Sequence, residues 1–327
     1  MKICIYGAGA IGGTIAVRLA QAGHEVSVVA RGAHLAAIRQ NGLTLQKGDE
    51  RVTARVPAAA DGAEFGVQDA VILAVKAHGI RAALAGLAPL IGADTSVVPA
   101  VNGVPWWFFE RWGGALAGTR LGACDPDGAI ARAIPYERII GGIVYLAADS
   151  PAPGELRHNS GNRIVLGEPG EVSSARVDAL VAALSGAGFE AKATERIREE
   201  VWKKLWGNVC FNPVSVLTGS STDRMIDDPL LNAMFVTMMG EVLAVAGALG
   251  LSLDMQPVER IALARRLGGI KTSMLQDALA GRSLEVDAIV GAVVEIAKRL
   301  DIPVPMVDAV YGMTRLHAAS RGLQAPR

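Results

Sequence analysis

Cysteine is scarce in this chain and falls in no pattern. Only Cys4, Cys124 and Cys210 occur, an odd number with no CxxC pair, which argues against a disulfide framework or a zinc site. Net charge is missing as well, because 32 basic residues cancel 32 acidic ones. A neutral chain has no general attraction for nucleic acid or for anionic membranes, so an anionic ligand has to be held by local groups. Long clean apolar runs are also absent. The longest, Met234 to Leu251, is interrupted by Glu241 and by glycines and reads as a buried helix, not a membrane span. At the N-terminus, MKICIYGAGAIGG reaches its glycines before an h-region is complete, so no signal peptide is read there. No internal repeat or low-complexity segment occurs. Together these absences predict a soluble, cytoplasmic protein with a small-molecule partner, no nucleic acid, no membrane and no metal.

What is present is a globular composition, 51% hydrophobic and 20% charged, over 327 residues, enough for two domains. The first half alternates short apolar strands with helical runs: Ile3 to Tyr6, a helix from Gly12 to Ala22, Glu25 to Val29, and a short helix from Leu35 to Gln40. Ala70 to Val75 and Ser96 to Val101 are continuous apolar runs, as in parallel strands buried on both faces. This rhythm predicts a doubly wound, Rossmann-type parallel sheet. Gly142 to Ala147 and Arg163 to Gly167 are expected to extend that sheet. A helix over Ser174 to Ser185 and a strand over Phe189 to Thr194 then close the domain. Beyond Glu195 helical patterns take over, at 196–212, 228–250, 256–267 and 284–300, punctuated by Pro257 and Pro303. The expected organisation is an α/β domain over residues 1–195 and an all-helical domain over 196–327. The tail, RGLQAPR, is expected to fray.

Two constellations carry chemistry. The first is G-x-G-x-x-G, the loop Gly7-Ala8-Gly9-Ala10-Ile11-Gly12, set between the first strand and the first helix. The first glycine permits the turn, the second lets a pyrophosphate approach the backbone, and the third packs helix on strand. The helix N-terminus then presents its free N–H groups to the phosphates. The second strand ends in Ala30 and Arg31, where NAD sites place an acidic residue, and no acid follows until Asp49. Arg31 can neutralise a 2′-phosphate, which favours NADP(H); as a bland alternative it is a solvated surface arginine. Lys76, after AVILAV, and Asn102, in VNGVP, fall at the C-terminal edge of the sheet, where such folds bind ligands. Lys76 could equally cap its strand, and Asn-Gly could be a plain turn. His34 lies near the presumed adenine end, where a cofactor contact is one reading.

The second constellation is Lys204, Asn208 and Asn212 in VWKKLWGNVCFNPVS. At four-residue spacing on a helix, the three side chains lie within about 80° of one another. Asparagine is a poor helix former and costly to bury without partners, so an ammonium with two amides on an otherwise apolar segment reads as a site. Pro213 should break the helix just after Asn212. Lys203, about 100° round the helix, should face solvent. Cys210 reads as a small buried hydrophobe, and His158 as a structural residue in a surface turn.

These residues together resemble the ketopantoate reductases (2-dehydropantoate 2-reductases). The likeness rests on Gly7-Gly9-Gly12, Asn102-Gly103, Lys204-Asn208-Asn212, Ser273-Met274-Leu275-Gln276-Asp277 and Glu285, with Gly154 and His158 also fitting, in order along nearly the whole chain. It implies NADPH-dependent reduction of ketopantoate to pantoate, a step of pantothenate biosynthesis. Carried over by position, Lys204 is the general acid. Asn208 and Asn212 hold the lysine and the substrate, Ser273 the substrate carboxylate, and Glu285 the lysine or a substrate hydroxyl. Asn102 touches substrate and nicotinamide, and Arg31 and Lys76 hold NADPH. A homodimer is left open. The run VPWWFFERW after Gly103 departs from the family pattern. Its aromatics either pack between domains or enlarge the pocket for a bulkier 2-oxo acid. A paralogue acting on such an acid and a non-catalytic NADP sensor are the rival readings.

Overall fold

The computed structural model describes residues 1–325 of the chain. Contacts divide it into two compact units, Met1–Val101 with Ala129–Ile197, and Asn102–Gly128 with Arg198–Arg327. The last of the three boundaries, after Ile197, falls close to residue 195, but the first unit is not one continuous stretch. Residues 102–128 pack with the helices because their backbone is bonded there: Val104 N–H donates to the Ala288 carbonyl (3.0 Å), and the Arg198 guanidinium to that of Phe108 (2.7 Å).

The first unit opens with β1 (Lys2–Tyr6), α1 (Ala10–Gln21), β2 (Glu25–Val29) and α2 (Gly32–Asn41). A hairpin of β3 (Leu43–Lys47) and β4 (Glu50–Ala54) follows, then β5 (Ala58–Ala59), β6 (Ala70–Leu73), α3 (Ile80–Leu87) and β7 (Ser96–Pro99). After the excursion come α4 (Ala129–Ala133), β8 (Gly141–Ala152), β9 (Glu155–Gly167), α5 (Ala175–Gly186) and β10 (Glu190–Ala193). One sheet has the order β5-β2-β1-β6-β7, all parallel. Its strand order reverses between β1 and β6, the switch point at which doubly wound sheets bind ligands.

The strands at 141–152 and 155–167 do not extend that sheet. They form a long antiparallel hairpin, which with β10, β3 and β4 makes a second five-stranded sheet. β9 pairs in parallel with β3 and β10 and antiparallel with β8, so its edges are fully used within that sheet. Both sheets contribute to one core with α1. Ile3, Ile5 and Ile72 come from the first sheet and Leu156, Ile164 and Leu166 from the second, and they cluster with Ile15, Val17 and Leu19 of the helix. A helix covered on two sides buries most of its residues, which explains why α1 is nearly continuous in Gly, Ala, Ile, Val and Leu.

The second unit is built from α6 (Ile197–Thr218), α7 (Thr222–Asp227), α8 (Pro229–Ala248), α9 (Pro257–Arg266), α10 (Ser273–Leu279), a π-helical turn at Asp287–Gly291 running into α11 (Ala292–Arg299), and α12 (Pro305–Ser320). α6 does not stop at Pro213. It continues for five more residues because Val214, Ser215 and Val216 are all buried, and that packing outweighs the lost hydrogen bond. α8 buries one face only, with Phe235, Met238, Met239, Val242, Val245 and Ala246, while Leu230 is 81% exposed. It is long and apolar enough to pass for a membrane span, with a mean hydropathy of 1.6, but Glu241 on it accepts from the Met306 and Val307 amides at the start of α12. The tail is tied down at Leu323, which is buried and whose carbonyl accepts from Leu284 N–H at 2.9 Å. The last two residues of RGLQAPR lie outside the described residues.

Candidate active site

The glycine loop is shaped by its three glycines. Gly7 has φ +103°, and a Cβ there would lie 2.8 Å from the Val75 side chain. A Cβ on Gly12 would lie 2.1 Å from the Gly7 carbonyl oxygen and 2.8 Å from Ala74 Cβ, so only glycine lets α1 come this close. A Cβ on Gly9 would meet no atom within 4 Å. This middle glycine therefore faces the open space that a phosphate group needs. The loop is pinned to the neighbouring strand by the Gly7 and Ala8 amides, which both donate to the Val29 carbonyl (3.0 and 3.2 Å).

Arg31 stands at the far end of β2, exposed, as the residue before α2. Burial raises the pKa of the Tyr6 hydroxyl, and the charge of the Arg31 guanidinium pulls against that rise. Lys76 lies three residues beyond β6 and leads into a short turn at Ala77–Gly79. Arg31, Lys76 and the loop all belong to the first unit.

The remaining predicted residues fall in the second unit, and Lys204, Asn208 and Asn212 lie on its helix α6. Trp202 and Trp206 donate their indole N–H groups to the Val242 and Met239 carbonyls of α8. That anchors one side of α6 and turns Lys204, Asn208 and Asn212 to the other. Burial pulls the Lys204 ammonium down to about 8, and the charge of Glu285 pushes back against the shift. Asn212 is 4% exposed, and its amide nitrogen has no hydrogen-bond partner among the described residues. Ser215, one turn on, donates to the Asn212 carbonyl (2.7 Å) and hydrogen-bonds the Thr272 hydroxyl (2.6 Å). Thr272 caps α10, so this link sets the first residue of that helix, the exposed Ser273, against the asparagine end of the stripe.

Asn102 reaches the same region by a backbone route. Gly103 has φ +90° and packs so tightly on Ala288 that a Cβ would fall 2.3 Å from the Ala288 carbonyl oxygen. The Asn-Gly pair is thus a close-approach device and not a plain turn. It holds Asn102 beside the segment that carries Glu285. Gln276 and Asp277 brace the loops around Ser273: Gln276 donates to the Lys271 carbonyl, and Asp277 pairs with Arg282 at 2.9 Å.

Several expectations change. Phe108 meets Phe109 and Trp112 edge to face, and tilted ring contacts join Phe109 to Trp112 and Phe108 to Trp202. Arg198, 1% exposed, lies over Trp107 and Trp112. These aromatics pack inside the second unit around one buried arginine, which sequence reading missed because Arg198 looks like any other charge in ERIREE. His158 is not in a surface turn. It lies within β9, 5% exposed, and bonds Arg18 and the Gly161 carbonyl; burial lowers its pKa. Lys203 pairs with Glu200 at 3.2 Å, and burial raises the Cys210 thiol pKa, in keeping with a buried hydrophobe. A cavity of about 880 Å³ in the second unit is lined by Tyr311, Arg315 and Lys298, with Leu284 and Val286 but neither Glu285 nor Lys204, so it is a separate space.

Comparison with known proteins shows what the whole chain is similar to. Residues 3–106 match the ketopantoate reductase PanE/ApbA family, and residues 196–318 its C-terminal counterpart. A 2-dehydropantoate 2-reductase from Mesorhizobium japonicum is 49% identical, over 98% of this chain and 99% of its own. The structure of a protein assigned to the ketopantoate reductases from Ralstonia solanacearum MolK2 is 46% identical, with a TM-score of 0.93 over 98% of this chain and 99% of that one. A 2-dehydropantoate 2-reductase structure from Methylococcus capsulatus is 29% identical, with a TM-score of 0.82 over 98% of both chains.

A buried amide nitrogen without a partner costs about 1–3 kcal/mol. Asn212→Leu should therefore raise the denaturation midpoint of the ligand-free protein while lowering its turnover. Urea unfolding beside a steady-state assay measures both; a stability loss of similar size would show that the amide is satisfied.

Proposed function

We propose that this chain, which belongs to the ketopantoate reductase PanE/ApbA family, reduces 2-dehydropantoate to pantoate with NADPH. As a family member it is an NAD(P)-dependent oxidoreductase acting on a CH–OH group. The observation that carries the finer reading is Lys204: an ammonium brought by burial to about 8, opposed by Glu285, on a helix face with two asparagines. Reduction of a ketone builds negative charge on its oxygen, and a cation within hydrogen-bonding reach stabilises that charge and supplies the proton. Lys204 donates this proton. Asn208 and Asn212 orient the substrate, the Ser273 hydroxyl takes its carboxylate, and Glu285 holds the ammonium in place. Asn102, beside the Glu285 segment, contacts the substrate.

The cofactor supplies the hydride. Residues of the first unit fit a dinucleotide: Gly9 gives the pyrophosphate open space, and the first turn of α1 offers its amides. Arg31, exposed at the end of β2 where no carboxylate stands, favours the 2′-phosphate of NADPH over the free ribose of NADH. Lys76 supports the phosphates. One observation favours a second reading, a bulkier 2-oxo acid with an added acceptor. The Trp106 indole nitrogen, four residues after Asn102, is buried without an acceptor among the described residues.

NADPH oxidation against a panel of 2-oxo acids should show ketopantoate as the best substrate; good turnover of a bulkier acid beside none of ketopantoate would establish the second reading. Lys204→Ala should lose about 10²–10⁴ in turnover while still binding NADPH, and retained turnover would overturn Lys204 as the general acid. For the reduction direction, log kcat/KM should be flat at lower pH and fall with slope −1 above about 8, as Lys204 loses its proton. Glu285→Gln removes the charge that raises that pKa, so the break should move to lower pH. Arg31→Ala should weaken NADPH by about 10–100-fold and leave NADH nearly unchanged; equal effects on both would refute the 2′-phosphate role.

A further inference from the structure

His34 bridges two parts of the first unit that the sequence separates widely. Its Nδ1 accepts from the backbone N–H of Gly154, at the β8–β9 turn (3.0 Å). Its Nε2 lies 2.6 Å from the Ala8 carbonyl oxygen in the glycine loop. The first bond fixes the tautomer. A ring nitrogen that accepts a backbone N–H carries no proton, so the proton of the neutral ring is on Nε2 and is donated to Ala8. The Gly154 turn that supplies the N–H is itself built in. Its carbonyl accepts from Thr44 N–H at 2.9 Å, and its φ of +78° suits glycine.

The Ala8 carbonyl shares a peptide plane with the Gly9 amide. A trans peptide is planar, and its C=O and N–H point in opposite directions. Gripping the carbonyl from one side therefore aims the Gly9 N–H out of the other. A Cβ on Gly9 meets no atom within 4 Å, and among the described residues the Gly9 amide donates to no backbone carbonyl. The other end of the Ala8 residue is held too, by Ala8 N–H to Val29 O. With the Ala8 N–H fixed by Val29, the orientation of the next peptide is the one loose element, and His34 removes it.

We infer that His34 is a positioning residue for cofactor binding: without touching the dinucleotide, it holds the Ala8–Gly9 peptide so that the Gly9 amide faces the pyrophosphate. This rests on the reading of the glycine loop as the pyrophosphate site. Because both cofactors share a pyrophosphate, loss of His34 weakens NADPH and NADH by the same factor, whereas a residue touching the adenine-side phosphate discriminates between them.

The test uses three full-length proteins: wild type, His34→Leu, which removes both hydrogen bonds, and His34→Gln, whose amide again offers one acceptor and one donor. Dissociation constants for NADPH and NADH are measured by fluorescence titration, with kcat at saturating cofactor, KM for the 2-oxo acid and Tm alongside. We expect His34→Leu to weaken both cofactors about tenfold, with kcat and substrate KM within about twofold of wild type. His34→Gln should recover most of the loss. Unchanged cofactor affinity in the leucine variant overturns the inference, as does a glutamine variant as weak as the leucine one. A leucine variant that weakens NADPH alone overturns it in favour of direct contact. A lower Tm with unaltered affinity leaves His34 as a fold residue only, and also overturns it. If wild type binds neither cofactor, the glycine-loop reading itself fails, which is a different result from any of these.

Discussion

The packing of α6 is the constraint on which the second unit depends. Along its length the helix fastens three other segments. Arg198 fastens the aromatic excursion, Trp202 and Trp206 bind α8, and Ser215 bonds the cap of α10. A helix so thoroughly buried has little room for polar groups, so those on its remaining face bear the full cost of desolvation. Lys204 shows that cost as a depressed pKa, and Asn212 as an amide nitrogen left without a partner among the described residues. Such expense is tolerated at functional sites and avoided elsewhere. The core and the proposed site of this unit are therefore two faces of one helix.

In the first unit the corresponding constraint is the lack of space around α1. The helix is pressed onto the parallel sheet at Gly12 and covered from the other side by Leu156, which would clash with a Cβ on Gly13 at 2.7 Å. The second sheet thus acts as a clamp on the helix whose N-terminus serves the glycine loop. His34 and the Gly154 turn continue the clamp to the loop itself. Rigidity at the proposed phosphate site has a direct value, because backbone amides stabilise an anion best when they need not reorganise to meet it.

The parts of this architecture legible in the sequence were those set by local chemistry. β2 coincides with Glu25 to Val29, and the glycine loop and the four-residue stripe announce themselves through spacing alone. What escaped depends on partners far away in the chain. The apolar alternation of Gly142 to Ala147 predicts a strand but not which sheet it joins, since a strand carries no label for its neighbour. The β3–β4 hairpin and α12 were overlooked, the first because its alternation is interleaved with polar residues and the second because Pro303 reads as an end when Pro305 in fact starts a helix. Pro213 predicts a stop that buried packing overrides. The role of Asn102 could be located at the sheet edge, yet its placement beside Ala288 needed Gly103 to be seen against its partner.

The excursion of residues 102–128 has a bearing on how the protein comes to be made. The chain passes from one compact unit to the other three times, after residues 101, 128 and 197. During synthesis Trp107, Phe108 and Phe109 leave the ribosome some ninety residues before Arg198, the group that will hold them. Until then a dense aromatic surface has no home. The nascent protein must carry it as a tethered, sticky loop between two segments of a unit that can already form. The order of the gene thus creates an interval in which this chain is most exposed to aggregation and to chaperones. A single cut near residue 195 would make that interval permanent.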